Sequence, residues 1–167
     1  MDVLNPLATD ATTLDKTGEI IVRTSTKDDV AAMLAIYAHH IQRGLGAFDV
    51  EPLHGDDIKR RLPHLAAEQA GAVVGYAYAV PFRKRPAYRY AVKHSIYVHP
   101  DHLHSGVGRR LLPALIDACA AAGYRQMIAY IDVSNAPSQR LHEGFGFEHA
   151  GLLKGVGFKY GAGPIAS

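Results

Sequence analysis

The segment from His94 to Leu115 constrains the fold more than any other part of the chain. It begins as a strand of β-branched and aromatic residues that ends at Pro100. It continues through a polar loop to Gly106-Val107-Gly108, after which apolar residues recur three or four positions apart, as they do in a helix. A strand, a turn with two glycines and a helix N-terminus expose backbone N–H groups, and the helix dipole favours negative charge beside them. This segment therefore predicts a turn that binds a phosphate.

The size and charge of the chain limit the classes of protein to which it can belong. Its 167 residues suit one domain with a sizeable core, and 18 basic against 16 acidic side chains give a net charge of +2. So mild a charge argues against nucleic acid as a partner. No apolar run approaches the roughly 18 residues of a membrane span, and no signal peptide is recognisable. The single cysteine, Cys119, lies on the apolar stripe of a predicted helix, which favours a core residue. A chain with one cysteine forms no internal disulfide and is typical of a reducing compartment, so we expect a cytoplasmic protein.

The order of the other segments predicts an α/β (α+β) protein. Strands joined by turns come first and βαβ connections follow, which indicates a mixed sheet with helices on both faces. Thr26 and Asp29 form an expected capping box before the first helix. We expect a leader over residues 1–18, one domain over 19–161 and a short tail over 162–167. The expected strands are 20–24, 65–68, 72–80, 90–98, 127–131 and a last region from Phe147 to Tyr160, and the expected helices are 30–41, 56–62, 107–122 and 135–145.

Two common phosphate-binding turns do not match the sequence. The chain has no Gly-Lys-Ser/Thr tripeptide, which excludes a Walker loop. A dinucleotide fingerprint needs a third glycine where this chain has Leu111, and it belongs near the first strand rather than after the fourth.

Several motifs, in order along the chain, resemble the GNAT superfamily of acetyl-CoA-dependent N-acetyltransferases. In that family a strand leads into Gln/Arg-x-x-Gly-x-Gly/Ala, and the corresponding segment here is Leu103–Gly108. The remaining matches are similar to the phosphinothricin and methionine sulfoximine acetyltransferase group, and they lie at 75–79, 81–88, 95–98 and 135–147. The resemblance implies a mostly antiparallel central sheet, acetyl-CoA as co-substrate, no metal, and direct acyl transfer to a small-molecule amine.

The resemblance also implies which residues hold acetyl-CoA. Backbone N–H groups of the turn would bind the pyrophosphate, and those near Val98, on a strand that splays from its neighbour, would face the oxyanion. Asn135 corresponds to an asparagine beside the pantetheine arm, although it is equally an N-cap for the next helix. The expected cofactor-binding residues are Tyr97, Val98, His104, Ser105, Gly106, Val107, Gly108, Arg109, Asn135 and Ser138.

The catalytic base is where this chain departs from its relatives. They carry glutamate where this chain has Lys93, and an ammonium accepts no proton unless burial or neighbouring cations lower its pKa. His142 matches a family histidine, and imidazole titrates near neutral pH, so Lys93 and His142 are the catalytic candidates. The alternative for His142 is a helix histidine that only makes hydrogen bonds. His94 and Glu68 are weaker substitutes for the base.

Two further departures concern the turn and the sheet edge. Leu103 replaces the usual Gln or Arg, which removes a phosphate contact and predicts weaker binding of CoA. The short segment after Tyr160 predicts a truncated last strand, whose edge is either left exposed or covered by the partner subunit of a homodimer.

Arginines after the third strand are the expected acceptor site. Arg83 and Arg85 would bind the carboxylate or phosphinate of an amino acid, and Tyr88 and Phe48 would line its side chain. The alternative is ordinary surface arginines and core aromatics. Three histidines lie close together in the loop before the turn, but without a set of carboxylates or cysteines they favour a solvated loop over a metal site; they are His99, His102 and His104.

The leading interpretation is an enzyme that acetylates the amino group of a small amino acid or analogue, of the phosphinothricin or methionine sulfoximine type. One alternative is an acetyltransferase for another amine, such as a polyamine, a peptide N-terminus or an aminoglycoside. The other is a catalytically impaired acetyl-CoA-binding protein, which Lys93 and Leu103 would explain.

Overall fold

The computed structural model describes residues 17–43, 62–159 and 162–165. Three α-helices and seven strands form within these ranges. In chain order they are β1 (Ile21–Thr24), α1 (Val30–Arg43), β2 (His64–Gln69), β3 (Ala72–Pro81), β4 (Ala91–Val98), α2 (Val107–Ala121), β5 (Gln126–Ala129), α3 (Ala136–Glu143), β6 (Gly157–Lys159) and β7 (Ala162–Ile165). No helix within the described ranges is long and apolar enough to cross a membrane.

Five strands form the central sheet in the order β1-β2-β3-β4-β5. The first four run antiparallel, and β5 pairs with β4 in parallel, so the predicted mixed and mostly antiparallel sheet is confirmed. A two-residue turn joins β2 to β3, where Ala70 and Gly71 have φ of 50° and 79°, as a tight hairpin requires. The parallel step from β4 to β5 needs a long connection, and α2 provides it.

Helices cover both faces of this sheet, as expected. Side chains alternate along β4, so Val92 and Ile96 face α2 while Tyr97 faces α1. On the α2 face, Val107, Leu111 and Leu115 of the helix are buried against the small and β-branched residues of β2, β3 and β4. Cys119 belongs to this cluster, and burial raises the pKa of its thiol to about 11, which confirms a core residue rather than a nucleophile.

The predicted capping box before α1 is confirmed. The Asp29 carboxylate accepts a hydrogen bond of 2.7 Å from the backbone N–H of Thr26, and the side chain of Thr26 completes the box. A short 3-10 turn over Lys27–Asp29 precedes the α-helix. Asp29 also forms an ion pair of 2.8 Å with Arg23 of β1, so the cap attaches the start of α1 to the sheet edge.

The C-terminal part differs from the expectation. The last strand region, predicted from Phe147 to Tyr160, forms a strand only near its end, over Gly157–Lys159, and residues 148–156 form none. Gly151 and Gly155 interrupt that segment, and its large apolar side chains, such as Val156, are exposed rather than packed on the sheet. Residues Ala162–Ile165, expected within a short tail, form β7 and pair with β6 in a separate two-stranded sheet. The expected leader up to residue 16, the expected helix at 56–61 and Phe48 lie outside the described residues.

Gly75 lets α2 pack directly on the sheet, which gives a test of this arrangement. A Cβ at Gly75 would lie 2.7 Å from Cγ1 of Val107 and 3.0 Å from the backbone oxygen of Tyr97. We expect Gly75→Ala to lower the free energy of unfolding by about 1–3 kcal/mol, because the added methyl overpacks the contact. Chemical denaturation measures this.

The matched control is Gly151→Ala, whose Cβ would meet nothing within 4 Å and whose φ is not in the left-handed region. We expect it to leave stability nearly unchanged. Equal unfolding free energies for the two variants would contradict the close approach of α2 to β3.

Candidate active site

The turn that the sequence predicts to bind an anion forms at the start of α2. Gly106 is the N-cap with φ of 91°, and His104 also has a positive φ, of 62°. The first helical bond runs from the N–H of Arg110 to the oxygen of Gly106, at 3.2 Å. The three preceding N–H groups, of Val107, Gly108 and Arg109, therefore have no acceptor within the helix. Because the side chain of Val107 is buried in the core, only its backbone can serve the turn.

A buried histidine anchors this turn to the sheet. His102 is fully buried, and its Nδ1 lies 3.1 Å from Oε1 of Gln69 on β2. Gln69 in turn donates to the backbone oxygen of Gly18, at 2.8 Å, and the hydroxyl of Ser105 donates to the oxygen of His102, at 2.6 Å. The expectation of a solvated loop is therefore wrong for His102. Sequence reasoning missed its anchoring role, because the partner lies 33 residues away in the chain.

No group of three or more histidine, cysteine, aspartate or glutamate side chains with metal-binding geometry occurs in the part of the chain that the structure describes.

Strands β4 and β5 part at the centre of the site. Their pairing runs from Ala91 opposite Gln126 to His94 opposite Ala129, where it ends. Beyond this point β4 has no partner on that side among the described strands, and it continues to Val98, a further distance of about 13 Å. The N–H of His99 bonds to β3, so the alternation of the antiparallel ladder directs the N–H groups of Ile96 and Val98 away from β3 and toward the gap. The oxygen of Val98 lies 2.8 Å from Nε2 of His40 on α1. The splayed strand expected near Val98 is present.

The structure brings His94 and His142 together at the vertex of this gap. Their Nε2 atoms lie 2.9 Å apart, and both side chains are buried, with 8% and 6% of their surface exposed. Nδ1 of His94 lies 3.2 Å from the oxygen of Ile128 on β5, and Nδ1 of His142 lies 2.7 Å from the oxygen of Ser138 one turn earlier in α3. Phe147 packs against both rings, at centroid distances of 5.5 and 5.0 Å.

Burial controls the charge of these two rings. It lowers the pKa of His94 to about 4, an effect to which the charge of His142 adds and which the hydrogen bond to Ile128 opposes. Burial also lowers the pKa of His142, while the hydrogen bond to Ser138 raises it.

The two predicted catalytic residues, Lys93 and His142, are not brought together. Lys93 is half-buried on β4, but strand alternation places it on the α1 face, whereas His94 and His142 lie on the α2 face. Glu68 is engaged elsewhere, because Nε of Arg23 donates to its carboxylate at 3.0 Å. Of the four candidates for the base, only the two histidines form one cluster.

The residues expected beside the pantetheine arm have local roles in this structure. Oδ1 of Asn135 accepts a hydrogen bond from the N–H of Ser138 at 3.2 Å, so the N-cap interpretation of Asn135 is confirmed. Tyr97 is buried in the α1-side cluster, stacked on Tyr76 at 5.1 Å and edge-on to Tyr37 at 5.5 Å. Its ring therefore packs on the α1 side of the sheet, and its backbone lies opposite Tyr76 of β3.

The arginine-rich loop between β3 and β4 lies at the opposite end of β4 from the anion turn. The guanidinium of Arg83 lies over the rings of Phe82 and Tyr88, at 5.1 and 5.5 Å, so two of the expected acceptor residues are neighbours. Arg85 is exposed and precedes a short 3-10 turn over Pro86–Tyr88.

Sequence reasoning missed that Arg125 forms a second cationic cluster with Arg89 at the same end of the sheet. The guanidinium groups of Arg89 and Arg125 both lie over the ring of Tyr90, at 4.6 and 4.7 Å. No sequence signal links Arg125 to this loop, because it follows α2.

Comparison with known proteins assigns the family. Residues 33–147 match the profile of the Acetyltransferase (GNAT) family. The chain belongs to this family. Among its GNAT relatives, a phosphinothricin N-acetyltransferase of Alcaligenes faecalis is 43% identical over 84% of this chain and 76% of its own. An L-methionine sulfoximine/L-methionine sulfone acetyltransferase of Salmonella typhimurium is 36% identical over 84% and 86% of the two chains.

A solved structure supports the same assignment. A phosphinothricin acetyltransferase of the GNAT superfamily from Sinorhizobium meliloti, in complex with acetyl-CoA, superposes with a TM-score of 0.78 at 35% identity, covering 88% of this chain and 84% of that one. The predicted family, fold and acyltransferase activity are confirmed.

The conformation of Gly106 can be tested through stability. A residue with a Cβ at φ of 91° is strained, and asparagine tolerates the left-handed region better than alanine does. We expect Gly106→Ala to lower the free energy of unfolding by about 1–2 kcal/mol and Gly106→Asn to lower it less. A Cβ there would meet nothing within 4 Å, so a steric clash would not produce this order. Equal stability of the alanine variant and the wild type in chemical denaturation would contradict the turn geometry.

Proposed function

We propose that this GNAT enzyme transfers the acetyl group of acetyl-CoA to the amino group of a small amino acid or analogue, of the phosphinothricin or methionine sulfoximine type. The observation that carries the proposal is the position of the anion-binding turn beside the gap between β4 and β5. The relatives named above, which act on phosphinothricin and methionine sulfoximine, support this substrate class.

The residues of the turn fit the pyrophosphate of CoA. Gly106 leaves open space where a Cβ would lie, so an anion can approach the helix N-terminus closely. Arg109 is exposed in the first turn of α2 and adds positive charge. When bound, acetyl-CoA supplies the acetyl thioester, and backbone N–H groups in the gap, near Val98, would stabilise the oxyanion. We propose that the turn residues His104–Arg109 hold the phosphates, and that Tyr97, Val98, Asn135 and Ser138 lie along the pantetheine arm.

The acceptor site is proposed at the other end of β4. Arg83 and Arg85 would bind the acidic groups of the acceptor, and the exposed edge of Tyr88 would contact its side chain. The cationic cluster around Tyr90 adds positive charge at the same end. Cationic acceptors such as polyamines and aminoglycosides would be repelled there, which favours the amino acid over these alternatives.

The deciding experiment is an assay of CoA release over a panel of amines. The panel should contain phosphinothricin, methionine sulfoximine, several L-amino acids, a polyamine, a peptide and an aminoglycoside. We expect turnover with the amino acid analogues. Turnover with a cationic amine alone would indicate an acetyltransferase for polyamines or aminoglycosides. Saturable binding of acetyl-CoA without turnover of any amine would indicate a catalytically impaired acetyl-CoA-binding protein.

Arg83 is the residue with which to test the acceptor site. We expect Arg83→Ala to raise the KM for phosphinothricin about tenfold, the effect of losing a hydrogen bond to a charged group, with kcat nearly unchanged. The matched control is Lys84→Ala, which removes an exposed cation from the same loop. Equal KM values for the two variants would indicate that Arg83 acts only through general surface charge.

We propose that His142 accepts a proton from the ammonium group of the amine substrate. Lys93 lies on the other face of β4, and we propose that it contributes charge near this substrate rather than accepting the proton. We expect His142→Gln to lower kcat/KM by about 100-fold or more, because general base catalysis is lost. The control is His149→Gln, which replaces an exposed histidine that follows the site. If the His142 variant keeps the kcat/KM of the wild type, His142 is not the base and has only a structural role.

We also propose that the enzyme is a cytoplasmic homodimer. The family resemblance supports the dimer, and a single buried cysteine supports a reducing compartment. Size-exclusion chromatography with light scattering distinguishes a monomer from a dimer directly.

A further inference from the structure

The two buried histidines make a set of contacts that fixes where their protons are. A backbone carbonyl oxygen only accepts hydrogen bonds, so each ring nitrogen that bonds to one carries a proton. Nδ1 of His142 faces the oxygen of Ser138 at 2.7 Å, and Nδ1 of His94 faces the oxygen of Ile128 at 3.2 Å. Both rings are therefore Nδ1–H donors when both backbone bonds are made.

When both rings are neutral, no proton then lies between their Nε2 atoms. Two neutral rings that donate from Nδ1 point bare Nε2 lone pairs at each other across 2.9 Å. If one ring moves its proton to Nε2, the central bond forms but a backbone bond is lost. One additional proton between the Nε2 atoms satisfies all three hydrogen bonds together.

We propose that His94 and His142 act as one base that binds a single shared proton, with His94 as the positioning residue for His142. This inference rests on the proposed acetyl transfer and deepens it. The N–H bond of the acceptor's ammonium breaks, its electron pair stays on the amine nitrogen, and the proton goes to the pair. The amine nitrogen then forms the new C–N bond as the thioester C–S bond breaks, and the electron pair of that bond leaves on the sulfur of CoA. The sulfur takes up the second proton that the nitrogen loses, and the proton held by the histidine pair later leaves to solvent.

The position of the pair in the sheet suits this role. His94 is the last residue of β4 that pairs with β5, so its ring lies where the two strands part. The carbonyl that holds His94 belongs to β5, and the carbonyl that holds His142 belongs to α3. The pair therefore joins β4, β5 and α3 at the point where the gap begins. Of the three hydrogen bonds, only the contact between the two Nε2 atoms does not involve the backbone.

The surroundings limit the pair to one proton. Among the described residues, the partner imidazole is the charge that acts on His94, and β5 carries no titratable side chain. Arg140 and Glu143 of α3 and Glu148 after it are exposed, and Lys93 lies on the opposite face of β4. A second proton would place two buried charges in contact, which matches the lowered pKa of His94, about 4.

Histidine NMR on the wild-type protein without acetyl-CoA tests the shared proton directly. The protein is labelled with ¹⁵N-histidine and titrated from about pH 5 to about pH 9. We expect both rings to keep a protonated Nδ1 and their two Nε2 signals to shift together in one step that involves a single proton. Separate titrations, two rings that stay neutral throughout, or a pair that stays protonated throughout would each overturn the proposal.

Two variants test whether the pair serves catalysis. We expect His94→Phe to lower the pKa of His142, because its protonated Nε2 loses its acceptor, and the acidic limb of the kcat/KM profile therefore moves to lower pH. Its plateau should fall about tenfold or more. His94→Gln keeps a side-chain acceptor and should restore part of the rate and of the profile. Equal losses in both variants, without a shift in the pH profile, would indicate a structural role and overturn the proposal.

The control is again His149→Gln, for which we expect an unchanged profile. The NMR titration does not depend on turnover, so it decides the shared proton even if the amine panel gives none. Turnover of amino acids by a protein whose two rings titrate separately would leave the proposed function intact and reject the shared base.

Discussion

The point at which β4 and β5 stop pairing is the constraint on which the site depends. Because these strands are parallel, the chain must cross from the end of β4 to the start of β5, and α2 makes that crossing. The helix therefore begins at the end of the sheet where the strands have parted. One topological step places the anion-binding turn, the gap and the histidine pair in a fixed order along β4.

Alternation along β4 then divides the charged groups between two faces. Lys93 lies on the α1 face with the aromatic cluster, and His94 lies on the α2 face with His142. A carboxylate at position 93 would also face α1, so the histidine pair does not simply replace it in space. The two candidate catalytic residues therefore lie on opposite faces of the sheet.

Most of the local structure follows from the sequence, whereas the contacts that make the site do not. The strand, turn and helix of His94–Leu115, the hairpin at Ala70 and the cap at Asp29 depend on neighbouring residues, and each was predictable. The pairing of His94 with His142 spans 48 residues and depends on strand register, which a single sequence does not specify. The same limit applies to His102 with Gln69 and to the pairing of β6 with β7.

Burial and hydrogen bonding act in opposite directions on the proton affinity of the histidine pair. Burial disfavours the charged state, while the facing lone pairs disfavour the neutral state with both backbone bonds made. A base is most effective when its pKa lies near the working pH, and the two opposed effects together set the pKa of the pair. A lysine at position 93 is compatible with such a base, because its ammonium has no lone pair with which to accept a proton and lies on the opposite face of β4.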